Sequence, residues 1–320
     1  MSLFRPWRGV ALAVALAAFS GPAFAIDELT IIAPANPGGG WDQTARALQS
    51  SMQEAGIVKS ATVENIGGAG GTVGLAQFVA KEKGEGDALL VNGLVMVGAI
   101  LTNKSAVTLD MVTPIARLTG EYEVLVVPKD SPIQSLADLI AQFKAEPGKV
   151  AWGGGSAGGT DHIIAGLIAN ASGVDPASLN YVPFSGGGEA LAAILGGHVT
   201  AGISGIGEWL GQIQAGELRA LGVTSPERLP GVDIPTLKEQ GVDVVLANWR
   251  AVVAPPELED ADKAALLAAV DATVKSDPWK KVLADKGWMD LYLAGDDFAA
   301  FLTEENARVG ETLKKIGLVQ

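Results

Sequence analysis

Short apolar runs alternate with helical patterns along almost the whole chain. Apolar residues recur at helical spacing after the first run, where Trp41, Ala45, Leu48 and Met52 form one stripe. Strands are predicted at Leu29 to Pro34, Ala61 to Ile66, Ala88 to Val91, Glu123 to Pro128, Lys149 to Trp152, Asn180 to Pro183, Thr200 to Ile203, Arg219 to Thr224 and Val242 to Ala254. Beyond Pro256, helices are predicted at Ala261 to Val274, Trp279 to Lys286 and Asp297 to Lys315. This alternation is typical of an α/β fold with mostly parallel sheets.

Glycine-rich turns join several predicted strands to the helices that follow them. The first is Pro37-Gly38-Gly39-Gly40, directly before a helix that begins near Trp41. Similar turns lie within Val63 to Thr72, Val150 to Asp161, Tyr181 to Glu189 and Ala201 to Trp209. Glycine allows close approach to the backbone, and a helix N-terminus presents unpaired N–H groups. One such cluster is compatible with a plain turn, whereas five at equivalent junctions predict a crevice that binds a small anion.

Two strongly apolar segments predict the domain organisation. Glu121 to Pro128 and Val244 to Ala254 both end in polar or proline-rich turns and are candidates for strands that cross between two lobes. We therefore expect a first lobe of residues 26–123 and 251–320 and a second lobe of residues 124–250.

Residues 1–25 have the pattern of an export signal. Arg5 and Arg8 form its basic end, a short apolar run follows, and Ala23-Phe24-Ala25 predicts cleavage after Ala25. The chain has no cysteine, which excludes thiol nucleophiles, disulfides and a lipid anchor at the cleavage point. Its 23 Lys and Arg against 36 Asp and Glu disfavour a nucleic-acid partner. We expect a freely diffusing periplasmic protein.

Gly154-Gly155-Ser156-Ala157-Gly158 matches the nucleophile motif of serine hydrolases and offers an alternative function. The sequence offers no well-placed general base for such a serine. The only histidines are His162, one turn into the next helix, and His198 in a Gly-Gly-His turn. The same segment matches a dinucleotide fingerprint, but no acidic residue follows the next strand to hold a ribose. Two separated histidines also give little for a metal to bind.

Two further residues have more than one interpretation. Trp41 fits either a core position or a wall of the binding crevice, because it follows the first glycine run. Arg250 fits either a surface ion pair or a bidentate contact with a ligand carboxylate at a lobe crossing. The sequence does not choose between them.

Segments spread over the chain after residue 25 resemble the periplasmic solute-binding component of the tripartite tricarboxylate transporters, the Bug-type family. They are Pro37 to Asp42 with Ala45-Arg46, Glu64 to Gly71, Gly153 to His162, Tyr181 to Gly187, Leu195 to His198, Thr224 to Arg228 and Pro235 to Gly241. Gly40 to Arg46 and Asn248 to Arg250 resemble the tricarboxylate-binding branch more than the amino-acid or aromatic-acid branches.

The resemblance implies a type II periplasmic-binding-protein fold, with two α/β lobes joined by crossing strands and a ligand in the cleft. It implies a monomeric binding protein without cofactor or metal, which captures citrate or another tricarboxylate and delivers it to a membrane permease. Two loops of the first lobe hold one carboxylate in that family, partly through water, and the second lobe reads the far end. The residues carried over are Pro37, Gly38, Gly39, Gly40, Trp41, Asp42, Gly68, Ala69 and Gly70, with Ser156, Gly158, Gly159, Thr160, Asp161, His162, Phe184, Ser185, Gly186 and Gly187 on the other side.

Overall fold

The computed structural model describes residues 26–320, so the predicted export signal and its cleavage site lie outside the described residues. The strands are β1 (Ile26–Ala33), β2 (Val58–Asn65), β3 (Ala88–Gly93), β4 (Thr113–Pro128), β5 (Ala151–Gly154), β6 (Asn180–Pro183), β7 (Ala201–Gly205), β8 (Leu218–Val223), β9 (Ala247–Ala254) and β10 (Met289–Ala294). The helices are α1 (Gly40–Glu54), α2 (Thr72–Lys81), α3 (Leu94–Thr102), α4 (Leu136–Ala145), α5 (Thr160–Ala171), α6 (Gly187–Leu195), α7 (Ile206–Gln214), α8 (Asp260–Lys275), α9 (Asp277–Lys286) and α10 (Gly295–Lys315).

The strands form one continuous sheet in the order β2-β1-β3-β9-β4-β7-β5-β6, and both β8 and β10 also pair with β4. The pairs that involve β1 or β5 are parallel. Every pair that involves β4 or β9 is antiparallel. The α/β class therefore holds, but the sheet is mixed where the alternation predicts a mostly parallel one, because the two crossing strands run against their neighbours.

Strand β4 links the two halves of the sheet. Its residues 113–122 pair with β9, and β10 pairs with part of the same stretch. Its residues 123–128 lie between β7 and β8. The sequence predicted only the second half of β4, and it missed β10 in a region that otherwise reads as helical. Both missed segments carry polar residues among apolar ones, which weakens the strand pattern.

The two halves of the sheet repeat one local topology. In each, a central strand lies between two parallel neighbours, in the orders β2-β1-β3 and β6-β5-β7. Helices α1, α2, α5, α6 and α7 begin just after the carboxyl ends of β1, β2, β5, β6 and β7. The predicted stripe on α1 is confirmed, because Trp41, Ala45, Leu48 and Met52 are all buried. This packing aims the start of the helix at the space between the halves.

No helix within residues 26–320 is both long enough and apolar enough to span a membrane.

Candidate functional site

A cavity of about 370 Å³ lies where these helices begin. Its two sides differ in chemistry, and we name them the glycine wall and the acidic wall. The glycine wall consists of Pro34, Ala35, Gly39, Gly40, Trp41, Gly68, Ala69, Gly70, Gly71, Val95 and Asn103. The acidic wall consists of Glu123, Gly155, Ser156, Ala157, Asp161, Pro183, Phe184, Ser185, Gly186, Gly187, Glu189, Ser204, Gly205 and Glu208. Asn248 and Arg250 of β9 complete the lining.

The glycine wall offers backbone groups and carries no charged side chain. Gly39 caps α1 in an extended conformation (φ −78°, ψ 170°) without a side-chain hydrogen bond, so the first N–H groups of the helix keep their donor capacity. The segment from Gly68 to Gly71 has positive φ at every residue: 128°, 47°, 64° and 87°. A side chain on Gly71 would lie 2.6 Å from the Trp41 ring. Trp41 is thus both a core residue, 7% exposed, and part of the cavity lining.

Arg250 lies where the two walls meet and is only 2% exposed. Its Nη2 pairs with the Glu121 carboxylate and lies 3.5 Å from Glu208 Oε1. Its Nη1 is buried and has no hydrogen-bond partner among the described residues. A side chain on Gly40 would overlap the guanidinium, so this glycine allows Arg250 to pack against the start of α1. The surface ion pair is therefore excluded, because Arg250 forms a buried ion pair with Glu121 instead.

Four carboxyl groups line the acidic wall, and all of them except the exposed Glu189 are largely buried. Asp161 Oδ2 accepts a 2.6 Å hydrogen bond from the Gly155 N–H, and Glu208 Oε2 accepts one of 3.3 Å from Ser204 Oγ. Glu123 is fully buried, and neither of its carboxylate oxygens has a hydrogen-bond partner within residues 26–320.

Burial shifts the protonation of the three largely buried groups. It raises the pKa of Asp161 to about 7 and that of Glu208 to about 8, and the charge of Glu121 adds to both shifts. Burial also raises the pKa of Glu123 well above its ordinary value, with further contributions from Asp161, Glu121 and Glu208. All three therefore hold protons at far higher pH than exposed carboxyl groups do.

The glycines of the acidic half make room for the protein's own carboxylates. A side chain on Gly187 would overlap Glu208, and one on Gly205 would overlap Glu121. A side chain on Gly154 would lie 2.6 Å from the Cβ of Asp161. Gly40 in the other half likewise leaves space for the Arg250 guanidinium, whereas Gly39 has free space beside it.

Seven of the residues carried over from the resemblance do not line the cavity: Pro37, Gly38, Asp42, Gly158, Gly159, Thr160 and His162. Asp42 faces the protein, where it accepts hydrogen bonds from the Gly38 N–H, Arg46 and Asn65. Burial alone would raise the pKa of Asp42, but these bonds together lower it. Its role is to hold the first glycine turn in place.

The loop before α5 is also held largely by internal contacts. Thr160 Oγ1 donates to Asn248 Oδ1 at 3.1 Å. Nδ1 of His162 accepts a hydrogen bond from the Gly158 N–H, and its ring stacks on Tyr181 with centroids 4.0 Å apart. Of the predicted segment from Ser156 to His162, only Ser156, Ala157 and Asp161 line the cavity. Phe184 to Gly187 all line it, as do Gly39 to Trp41 and Gly68 to Gly70.

Ser156 faces the cavity without the partners of a catalytic serine. Within residues 26–320 no hydrogen bond joins its hydroxyl to a histidine, and His162 is engaged by Gly158 and Tyr181. The same residues contain no cluster of three or more acidic or histidine side chains arranged to hold a metal ion.

The sequence interpretation missed Glu123, Glu208, Ser204 and Asn248 as lining residues. A signal was present for the first, since Glu121 and Glu123 alternate at the start of a strand that continues as Val124-Leu125-Val126-Val127. Acidic residues seldom occupy a buried strand without a function or a partner.

Comparison with known proteins adds independent findings. A model of the tripartite tricarboxylate transporter family receptor matches residues 44–318. The BugT protein of Bordetella pertussis is 28% identical over 316 residues, covering 96% of this chain and 95% of the relative. The periplasmic binding protein BugD has a TM-score of 0.82 at 23% identity, covering 92% of this chain and 98% of that one. MatC of Rhodopseudomonas palustris, with bound malate, has a TM-score of 0.78 at 26% identity, covering 90% and 99%.

Proposed function

We propose that this chain, which belongs to the tripartite tricarboxylate transporter receptor family, is a periplasmic receptor that captures a small carboxylate in the cavity and delivers it to a membrane permease. The family and the neighbouring structures are receptors and binding proteins, so the chain is a binding protein and not a serine hydrolase. Its fold is the α/β periplasmic-binding-protein fold. We also propose that the chain is exported and cleaved after Ala25, that it acts as a monomer, and that a membrane permease is its partner.

Arg250 carries the argument for a carboxylate. The residue lines the cavity, its guanidinium packs against the first residue of α1, and its buried Nη1 has no hydrogen-bond partner among residues 26–320. An unpaired buried charged donor is costly, and a carboxylate oxygen would satisfy it. The adjoining helix N-terminus favours negative charge at the same point.

We further propose that the cavity is a cleft between the two lobes expected from the sequence. The change of pairing partners at residues 122–123 of β4 supports this division, because each half of the strand belongs to a different part of the sheet. Across the cavity mouth, Asn36 Nδ2 donates a 2.7 Å hydrogen bond to Glu189 Oε1. A bond between exposed side chains 153 positions apart is the kind of contact that forms when a cleft closes.

The resemblance favours citrate or another tricarboxylate, while MatC was solved with malate. A thermal-shift screen with citrate, tricarballylate, malate, succinate and adipate tests the class. A ligand that binds only the folded protein should stabilise it by roughly 2.7 kcal/mol at a hundredfold excess over its Kd. A protein that responds to sugars and to no carboxylate would refute the proposal.

Gly39 offers a variant that tests the cavity without disturbing the backbone. Its φ and ψ suit any residue, and a Cβ would have only ordinary contacts, 3.7 Å from Asn36 O and 3.8 Å from Gly186 Cα. Gly39→Ala should therefore fold and bind, whereas the larger Gly39→Val should push the two walls apart and weaken binding at least about 100-fold, the equivalent of about 2.7 kcal/mol. Gly148→Val, at an exposed glycine outside the cavity, is the control. Unchanged affinity in Gly39→Val would place the ligand elsewhere.

A further inference from the structure

Two glycines that the resemblance assigns to the ligand contact a helix of the other half of the molecule instead. Gly158 and Gly159, in the loop before α5, are buried and do not line the cavity. A Cβ on Gly98 of α3 would overlap the carbonyl oxygen of Gly158, and a Cβ on Gly158 would overlap Thr102. A Cβ on Gly159 would lie 3.0 Å from Val95 Cγ1. The loop therefore rests its backbone on one face of α3, because residues at these spacings share a face of a helix.

This contact borders the cavity. Helix α3 contributes Val95 to the glycine wall, and the loop before α5 contributes Ser156 and Ala157 to the acidic wall. The two elements that touch thus belong to opposite sides of the cavity. Elsewhere the walls meet through the hydrogen bond between the exposed side chains of Asn36 and Glu189, which rotate easily. The contact on α3 is tighter, because backbone meets backbone without room for one methyl group.

The loop before α5 is braced within its own half. The Gly155 N–H donates to Asp161 at 2.6 Å, and the Gly158 N–H donates to His162 Nδ1 at 3.1 Å. The Tyr181 hydroxyl donates to Gly155 O at 2.7 Å, and the Tyr181 ring stacks on His162. A push on the loop is therefore passed on to α5 and β6, since tightly packed groups transmit strain.

Resting on the function proposed above, we propose that Gly98 and Gly158 are positioning residues that set the width of the cavity, and hence the length of the carboxylate that it accepts. Neither residue lines the cavity. Their missing side chains let the two halves approach until backbone meets backbone, and that contact stops any closer approach. Strand β4, which changes partners at residues 122–123, is where the halves can adjust to each other.

Gly98→Ala tests the proposal by inserting one methyl group into the contact. Gly98 lies inside α3, where alanine favours the helix more than glycine does, so the variant should fold. The Gly158 carbonyl must then retreat by roughly 1 Å, because packed atoms do not overlap. The braced loop carries its half of the molecule with it, and the cavity becomes wider.

Calorimetric titration with ligands that differ by one methylene measures the consequence. Succinate, glutarate, adipate and pimelate form one series, and citrate with homocitrate forms a second. Gly98→Ala should bind the ligand that the wild type prefers at least about 10-fold more weakly. The affinity ratio between a longer ligand and the next shorter one should shift at least about 5-fold towards the longer. A merely structural role would weaken binding at every length alike, so the ratio decides.

Two further variants complete the test. Gly211→Ala makes the same change inside α7, where a Cβ would meet nothing within 4 Å, and it should keep the wild-type ratio. Gly159→Ala approaches the contact from the loop, and its φ of −75° and ψ of −178° suit any residue. Its Cβ would lie 3.0 Å from Val95 Cγ1 and 2.9 Å from Ser156 O, so the ratio should shift in the same direction by a smaller factor.

The outcomes separate this proposal from the proposed function. An unchanged ratio in folded Gly98→Ala, an equal loss at every length, or a shift that Gly211→Ala reproduces would overturn the role of the glycines and leave the carboxylate receptor intact. If Gly98→Ala does not fold, an unchanged ratio in Gly159→Ala overturns it. Failure of both variants to fold would do so too, because the contact then cannot yield. A wild-type protein that binds none of these carboxylates would overturn both proposals together.

Discussion

The two walls of the cavity are built from the same topology and yet present opposite chemistry. In each half a central parallel strand leads through a glycine turn into a helix. On the glycine wall Gly39 has free space beside its backbone, whereas the space that Gly40 and Gly71 leave is filled by Arg250 and Trp41. On the acidic wall the space that Gly187 and Gly205 leave is filled by Glu208 and Glu121. A glycine turn thus indicates that something must come close, and the tertiary structure decides whether it is a ligand or a side chain.

The largest effect should follow from removing the one cation between the walls. Arg250→Met leaves Glu121 and Glu208 without their buried partner, and breaking such a pair costs about 3–5 kcal/mol. Urea denaturation at pH 7.5 measures the loss. The double variant Glu121→Gln with Arg250→Met should recover much of it. A loss below about 1 kcal/mol would mean that the carboxyl groups need no counter-charge.

The glycine wall itself should divide into tolerant and intolerant positions. Gly71→Ala places a side chain at φ 87° and 2.6 Å from Trp41, so we expect a loss of about 2–4 kcal/mol from backbone strain and overpacking. Gly39→Ala, in extended backbone with free space, should change stability by less than about 0.5 kcal/mol. Thermal unfolding of both variants without ligand checks the contrast, and equal losses would contradict it.

The acidic wall should make the ligand-free protein less stable as pH rises. The folded-state pKa values of about 7 for Asp161 and about 8 for Glu208 lie above unfolded values near 4, so the folded state binds more protons across that window. Stability should fall between pH 5 and 8 with a slope of up to about 1.4 kcal/mol per pH unit for each retained proton. Glu123→Gln should flatten the slope in urea titrations. A wild-type curve that rises with pH over this range would show that the wall is already ionised.

The smallest effect concerns the contact across the mouth. Asn36→Ala removes the donor to Glu189 between exposed side chains, so stability should change by less than about 1 kcal/mol. The ligand should dissociate about 2–5-fold faster in stopped-flow measurements, because dissociation is the step that most interface changes affect. Gln77→Ala, which removes an exposed bond to Lys81 outside the cavity, is the control. Identical dissociation rates would exclude a role for Asn36 in holding the mouth closed.

The sequence predicts the glycine wall better than the acidic wall for a physical reason. The turn and the helix that form Gly39 to Trp41 are adjacent in the chain, so local pattern specifies them. The acidic wall depends on contacts such as that between Arg250 and Glu121, which are 129 positions apart. Asp42 illustrates the same limit. Its position in the first turn of α1 suggests a ligand contact, but its carboxylate accepts a hydrogen bond from Asn65 at the end of β2.

The backbone donors of the glycine wall have a consequence for how such a receptor changes over evolutionary time. A main-chain N–H survives every substitution except proline, whereas each contact of the acidic wall depends on one codon. Drift at Glu123, Asp161 or Glu208 can therefore redirect selectivity in single steps without erasing the capacity to hold a carboxylate. Descendants of such a receptor would keep their affinity for a carboxylate and differ in which carboxylate ligands they prefer.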